Sequence, residues 1–261
     1  RPMTSTAGAF STLTVELTDG IGRLTLNQPD QLNPLGSNTL AEIAHAARWF
    51  DDEGARVVVI TSAGDRAFSA GFDLREISGP SNDPPDVDLG YRMVDAVENM
   101  EAITIASIHG HCVGGGILLA VGCDLRIAAD NTRFAIPEVD LGIPLAWGGI
   151  PRLVREVGPA VTRELVMTCR PFDAVEAQSL GMVNRVVPLD RLRIETDELA
   201  ASLAAKPVSL LRTTKRQVQE ATEDMVSTQS GWTASAHLAV ALADPEARAA
   251  ASAYLAGRGG R

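Results

Sequence analysis

Short apolar runs rich in β-branched residues alternate with amphipathic stretches as far as residue 188, and beyond that point the chain reads as helix alone. "RVVVITS" (56–62), "ITIASIHG" (103–110) and "DLRIAAD" (124–130) are apolar throughout rather than alternating, as strands covered on both faces must be. Such strands run parallel and need helical crossovers. "SNTLAEIAHAARWFDDE" (37–53) and "LGYRMVDAVENMEA" (89–102) have the helical spacing to supply them. Thr39 and Glu42 have the spacing of a capping box for the first. At the front, "TLTVELTDGIGRLTLN" (12–27) alternates around Asp19-Gly20, a hairpin signal because that pair tolerates the positive φ of a tight turn. Further on, Asp173 and Glu176 cap a helix ended by Gly181, and "MVNRVVP" (182–188) is the last strand. Asp244-Pro245 opens a final helix to about Arg258. The polar, Pro-rich "SGPSNDPPDVD" (78–88) is expected to be a mobile loop. The pattern predicts an α/β core followed by a helical C-terminal piece.

Hydrophobic residues are 45% of the 261 and charged ones 21%, the balance of a globular chain. A net charge of −10, from 23 basic and 33 acidic residues, disfavours nucleic acid and anionic membranes as partners. No apolar run is long enough to span a membrane, and the start of the chain lacks the pattern of a secretory signal. Arg1-Pro2 ahead of Met3 reads as an addition and carries no weight in the fold. Cys112, Cys123 and Cys169 form no CxxC pair, which argues against a disulfide framework or zinc site and fits a cytoplasmic protein. The phosphate-binding GxxxxGK[ST], the dinucleotide GxGxxG, the GxSxG elbow and HExxH are all missing. His109 and His111 flank Gly110 too closely to be metal ligands on one helix face, and no metal is expected.

Three segments carry the chemistry: "RAFSAGFDLREI" (66–77), "GHCVGGGILLAVGCD" (110–124) and "FAIPEVDLGIPLAWGG" (134–149). A glycine triplet running into a helix is by itself either an anion-binding turn or a close-packing device. Taken with "NQPDQLNPL" (27–35), "FDAVEAQSLGMVNRVVP" (172–188) and "DPEARAAASAYLAGR" (244–258), the three segments resemble the crotonase superfamily, the enoyl-CoA hydratases and isomerases, along almost the whole chain.

That resemblance implies a crotonase-like spiral of ββα units binding acyl-CoA over residues 3–190, and a helical C-terminal trimerisation region over 191–261. It implies a homotrimer or dimer of trimers and an acyl-CoA thioester substrate, with coenzyme A part of the substrate and no separate cofactor. Carried over by position, the oxyanion hole is the backbone N–H of Phe72 and of Gly115, while Ala70, Asp73 and Leu74 match positions that hold the CoA through backbone contacts. Two preorganised donors suit a thioester enolate, since losing one costs on the order of 3 kcal/mol of barrier. At the start of a helix, Gly115 would gain further positive potential from the helix dipole. Leu118 and Ala146 match the acyl pocket. Trp147 also falls there, although core packing is the simpler and favoured reading for it. Lys215, Arg216, Tyr254 and Arg258 match the family's C-terminal helices, where a solvated face is the simpler reading for Lys215.

Hydratases of the family hold a water between two glutamates. The second survives here as Glu138, after Pro137, whereas Leu118 stands where the first would be, one turn past Gly115. Moving a proton between two carbons of one substrate needs only one base. Glu138 is therefore the expected catalytic residue of a 3-enoyl to 2-enoyl-CoA isomerisation, its pKa raised by the apolar Leu118. Hydration by Glu138 alone is the alternative, and acyl-CoA binding without catalysis is an alternative of another class. Capping a helix is the competing role for Glu138, and Asp140 is the competing acid, facing elsewhere if the segment is helical.

Overall fold

The computed structural model describes residues 4–6, 10–78, 86, 88–229 and 233–258. Most of the expected 78–88 loop (79–85 and 87) and Arg1-Pro2 lie outside the described residues.

Among the described residues eleven strands make two sheets. They are β1 (Thr4–Thr6), β2 (Leu13–Thr18), β3 (Ile21–Leu26), β4 (Val57–Ser62), β5 (Ala67–Ser69), β6 (Ile103–Ile108), β7 (His111–Val113), β8 (Leu125–Ala129), β9 (Arg133–Ala135), β10 (Phe172–Asp173) and β11 (Arg185–Val187). The larger sheet runs β1-β2-β3-β4-β6-β8-β11, antiparallel through the hairpin and parallel from β3 onward. The smaller runs β10-β9-β7-β5. Each long buried strand thus continues into a short strand of the second sheet. At Gly110, between β6 and β7, the turn needs φ 58, and a Cβ there would meet the Arg66 carbonyl at 2.2 Å.

The helices are α1 (Ser37–Asp52), α2 (Arg75–Ser78), α3 (Leu89–Glu98), α4 (Gly115–Val121), α5 (Gly149–Thr168), α6 (Ala174–Ser179), α7 (Leu192–Ala204), α8 (Val208–Met225), α9 (Thr233–Ala243) and α10 (Pro245–Arg258). β4-β5, β6-β7 and β8-β9, each followed by helix, are the expected ββα units. One face of the large sheet packs against α1, α3 and α4 through Phe50, Met93, Val97 and Leu119, all buried. The other face carries Val57, Val59, Ile105 and Ile127, covered by Leu192 and Ala200 of α7. The expected boundary at 190/191 therefore falls just ahead of a helix that belongs to the core.

Two local expectations need correction. The capping box does not form: α1 begins at Ser37, and Glu42 accepts instead from the N–H groups of Ser11 (2.8 Å) and Thr12 (2.9 Å). The cap comes from a distant chain segment, since the Ser37 N–H donates to Glu76 Oε1 at 2.9 Å. Lys215 is not on a solvated face. It is buried, and its Nζ donates to Asp124 Oδ2 (2.9 Å) and the Ala102 carbonyl (3.0 Å), pinning α8 to the core. The Asp173 cap forms as expected, accepting from the Glu176 N–H at 2.9 Å, and Gly181 follows at φ 86.

Candidate active site

Parallel pairing of β5 with β7 lays Ala70-Gly71-Phe72 beside Val113-Gly114-Gly115. Gly71 adopts φ 85, and a Cβ on it would come within 2.7 Å of the Val113 carbonyl and 3.4 Å of the Gly115 nitrogen, so only glycine permits this approach. The Leu35 N–H donates to the Gly71 carbonyl at 2.8 Å in a parallel bridge between Leu35 and Phe72. In such a bridge the N–H of Phe72 faces away from Leu35. Gly115 is the first residue of α4, so its N–H has no acceptor within the helix. The two N–H groups expected to face an oxyanion are thus neighbours. At seven residues α4 is two turns long, and its free N–H groups rather than a long summed dipole supply the positive field.

Glu138 enters from the third segment. Pro137 precedes a turn in which the Leu141 N–H donates to the Pro137 carbonyl (3.0 Å) and the Ile143 N–H to the Glu138 carbonyl (2.9 Å). No helix starts there, so Glu138 caps none. Asp140 turns outward and is exposed, whereas Glu138 is only 8% exposed. A Cβ on Gly114 would lie 2.5 Å from Glu138 Oε1, which puts the carboxylate against the glycine triplet. Its Oε2 is buried and has no hydrogen-bond partner among the described residues. Burial pushes the pKa from 4.5 up to about 7, opposed only by the residue's own backbone N–H.

Phe72, Gly115, Leu118, Glu138, Ala146 and Trp147 border one cavity. Leu118, 2% exposed, presents hydrocarbon there and packs where a Cβ on Gly149 would meet it at 2.8 Å. A second, smaller cavity on the other side of Glu138 is lined by Ala70, Leu74, Gly114 and Tyr254. Asp73 is not brought into either cavity. Its carboxylate holds Arg75 Nε (2.8 Å) and Nη2 (2.6 Å), an ion pair that keeps it below its usual range despite partial burial.

Three residues carry more than their sequence context indicated. Trp147 does more than fill the core: it borders the cavity, with its ring edge-on to Phe72 at 6.1 Å between centroids. Gly90 of α3 leaves room for that indole, and Tyr254 reaches the second cavity from the far end of the chain. A bulky residue directly before Gly148-Gly149 was the one available sign of Trp147's unusual backbone. Arg216 borders a separate polar groove with Tyr91 and Glu223, and the Arg258 side chain lies outside what is described. Among the described residues no group of His, Cys, Asp and Glu could hold a metal ion, and no helix is long and apolar enough to cross a membrane.

Known proteins of the same architecture place this site in context. A family model described as enoyl-CoA hydratase/isomerase matches residues 16–255. A probable enoyl-CoA hydratase of Mycobacterium tuberculosis is 34% identical over 218 residues, covering 84% of this chain and 85% of that protein. Crotonyl-CoA hydratase of Syntrophomonas wolfei is 35% identical over 215 residues, covering 81% of this chain and 83% of that protein. A crystal structure of an enoyl-CoA hydratase/isomerase from Pseudoalteromonas atlantica matches with a TM-score of 0.86 at 26% identity, covering 95% of this chain and 98% of that one. The chain belongs to the enoyl-CoA hydratase/isomerase family, enzymes of acyl-CoA thioesters.

Proposed function

We propose that the protein shifts a double bond in an acyl-CoA, from 3-enoyl to 2-enoyl, with Glu138 as the single proton carrier. The thioester oxygen sits between the N–H groups of Phe72 and Gly115, and CoA passes along Ala70, Asp73 and Leu74. Glu138 takes a proton from C2. The C2–H electron pair moves into the C2–C1 bond and the carbonyl oxygen becomes an enolate. Protonated Glu138 then gives the same proton to C4 as the double bond settles between C2 and C3. No separate cofactor enters this scheme.

The observation that carries the reading is the lone buried carboxylate. Glu138 has an unpartnered oxygen in an apolar cavity, and Leu118 occupies the position one turn from Gly115. A carboxyl poised near pH 7 both accepts and returns a proton at neutral pH. Adding water at C3 demands that a water be held and activated, and Leu118 offers it no hydrogen bond. The hydratase names of the relatives favour one other reading, hydration by Glu138 alone.

We also propose a homotrimer or dimer of trimers built through residues beyond α7, in the cytoplasm. The exposed Met225 and Val240 support a covered surface there.

Turnover of 3-hexenoyl-CoA without hydration of crotonyl-CoA is the expected result. The reverse preference overturns isomerisation, and tight acyl-CoA binding with turnover of neither points to a non-catalytic role. Leu118→Glu is expected to gain hydration of crotonyl-CoA.

A further inference from the structure

The indole of Trp147 occupies a seat cut by two glycines. A Cβ on Gly90 would come within 2.0 Å of its Cε2, and one on Gly115 within 2.3 Å of its Cζ3. Its backbone is held at φ 57, followed by Gly148 at φ 66. For a bulky side chain the left-handed region costs on the order of 1–2 kcal/mol, so surrounding structure must enforce it.

Arg152 does the enforcing. It lies in the first turn of α5 and is 2% exposed. Its Nη1 donates to the carbonyls of both Trp147 and Gly148, at 3.3 Å each. Its Nε and Nη2 donate to Glu98 Oε2 at 2.9 and 2.6 Å, and the guanidinium lies 5.6 Å from the centre of the Tyr91 ring. A Cβ on Gly148 would come within 2.4 Å of Nη1, so turn and guanidinium fit together only with glycine there. Glu98, the last residue of α3, is fixed in turn by Arg155 Nη1 at 3.2 Å. Neither Arg152 nor Glu98 borders the cavity that Trp147 lines.

We propose that Arg152 and Glu98 are a positioning pair that locks Trp147 into the wall of the acyl pocket and so sets the acyl length the enzyme accepts. This rests on the acyl-CoA reading of the cavity. The pair touches no substrate and acts through the two carbonyls of the left-handed turn. With the indole removed, the gap between Gly90 and Gly115 lets a longer chain reach α3.

The test is equilibrium binding of butyryl-CoA and octanoyl-CoA by calorimetry, which needs no turnover, on variants checked for folding by circular dichroism. Trp147→Ala should raise the octanoyl-to-butyryl affinity ratio by ~tenfold or more, the scale on which apolar pockets discriminate methylenes. Arg152→Lys keeps the charge but loses the planar fork, and should move the ratio the same way by roughly threefold. If that variant does not fold, Glu98→Gln is read against the same expectation. An unchanged ratio in Trp147→Ala overturns the wall. A changed ratio there with an unchanged one in the folded Arg152→Lys or Glu98→Gln overturns the positioning role. Failure of the wild type to bind either ester overturns the acyl-CoA reading itself and is recognised without any variant.

Discussion

Two carboxylates belong to the surroundings of Trp147, one through Arg152 and one across the shared cavity, and they are treated in opposite ways. Glu98, the last residue of α3, accepts from Arg152 and Arg155 and is fully engaged. Glu138, which lines the cavity with Trp147, is more deeply buried, has no cation beside it and leaves Oε2 without a partner among the described residues. A buried acid with every bond made is a structural member. One left unsatisfied carries a desolvation cost, which marks it as a candidate for chemistry. Arg155 extends the engaged side to α8 through Glu223 and the Val226 carbonyl (2.8 Å), which ties Glu98 to the C-terminal helices.

The contrast breaks first on activity. Glu138→Gln keeps the shape but cannot carry a proton, and kcat should fall ~10³-fold with acyl-CoA binding retained. Steady-state rates with calorimetric binding check this.

The same variant should stabilise the protein at high pH. The Glu138 carboxyl ionises near 4.5 unfolded and about 7 folded, so its folded pKa is raised. Wild-type stability is undiminished by this group below pH 4.5, falls as pH rises towards 7, and is lower by about 3 kcal/mol above it. Urea unfolding at pH 4 and pH 8 should show Glu138→Gln gaining that amount over wild type between the two. No change in the difference would show the carboxyl to be well solvated.

On the engaged side the sign reverses. Arg152→Met strips Glu98 of its main partner and should cost about 3 kcal/mol in urea unfolding, with Arg155 limiting the loss. The Asp173 cap marks the small end of the scale: Asp173→Ala should cost about 1 kcal/mol and leave activity unchanged.

What could be read from the residues tracks how local its cause is. The Asp19-Gly20 hairpin, the parallel strands β4, β6 and β8, and the Asp173 cap each follow from a few adjacent residues. The nearness of Phe72, Gly115 and Glu138 followed from family resemblance, because three separate segments must meet and no single spacing states it. The α1 cap was misread because its carboxylate, Glu76, comes from a distant segment that also carries Phe72. Trp147 reads as core because Gly90 of α3, which makes room for its indole, lies far off in the chain, and Lys215 reads as solvated because Asp124 lies across the fold. Contacts between distant segments have no local signature.

Isotope transfer tests the central claim most directly. With 3-hexenoyl-CoA carrying deuterium at C2 in ordinary water, one buried carboxylate acting alone moves the label within the molecule. The 2-hexenoyl-CoA formed should carry deuterium at C4, measured by mass spectrometry and NMR. Isomerisation by Glu138→Gln with the same transfer of label, or a 3-hydroxyacyl-CoA in place of the 2-enoyl product, would contradict Glu138 as the single proton carrier.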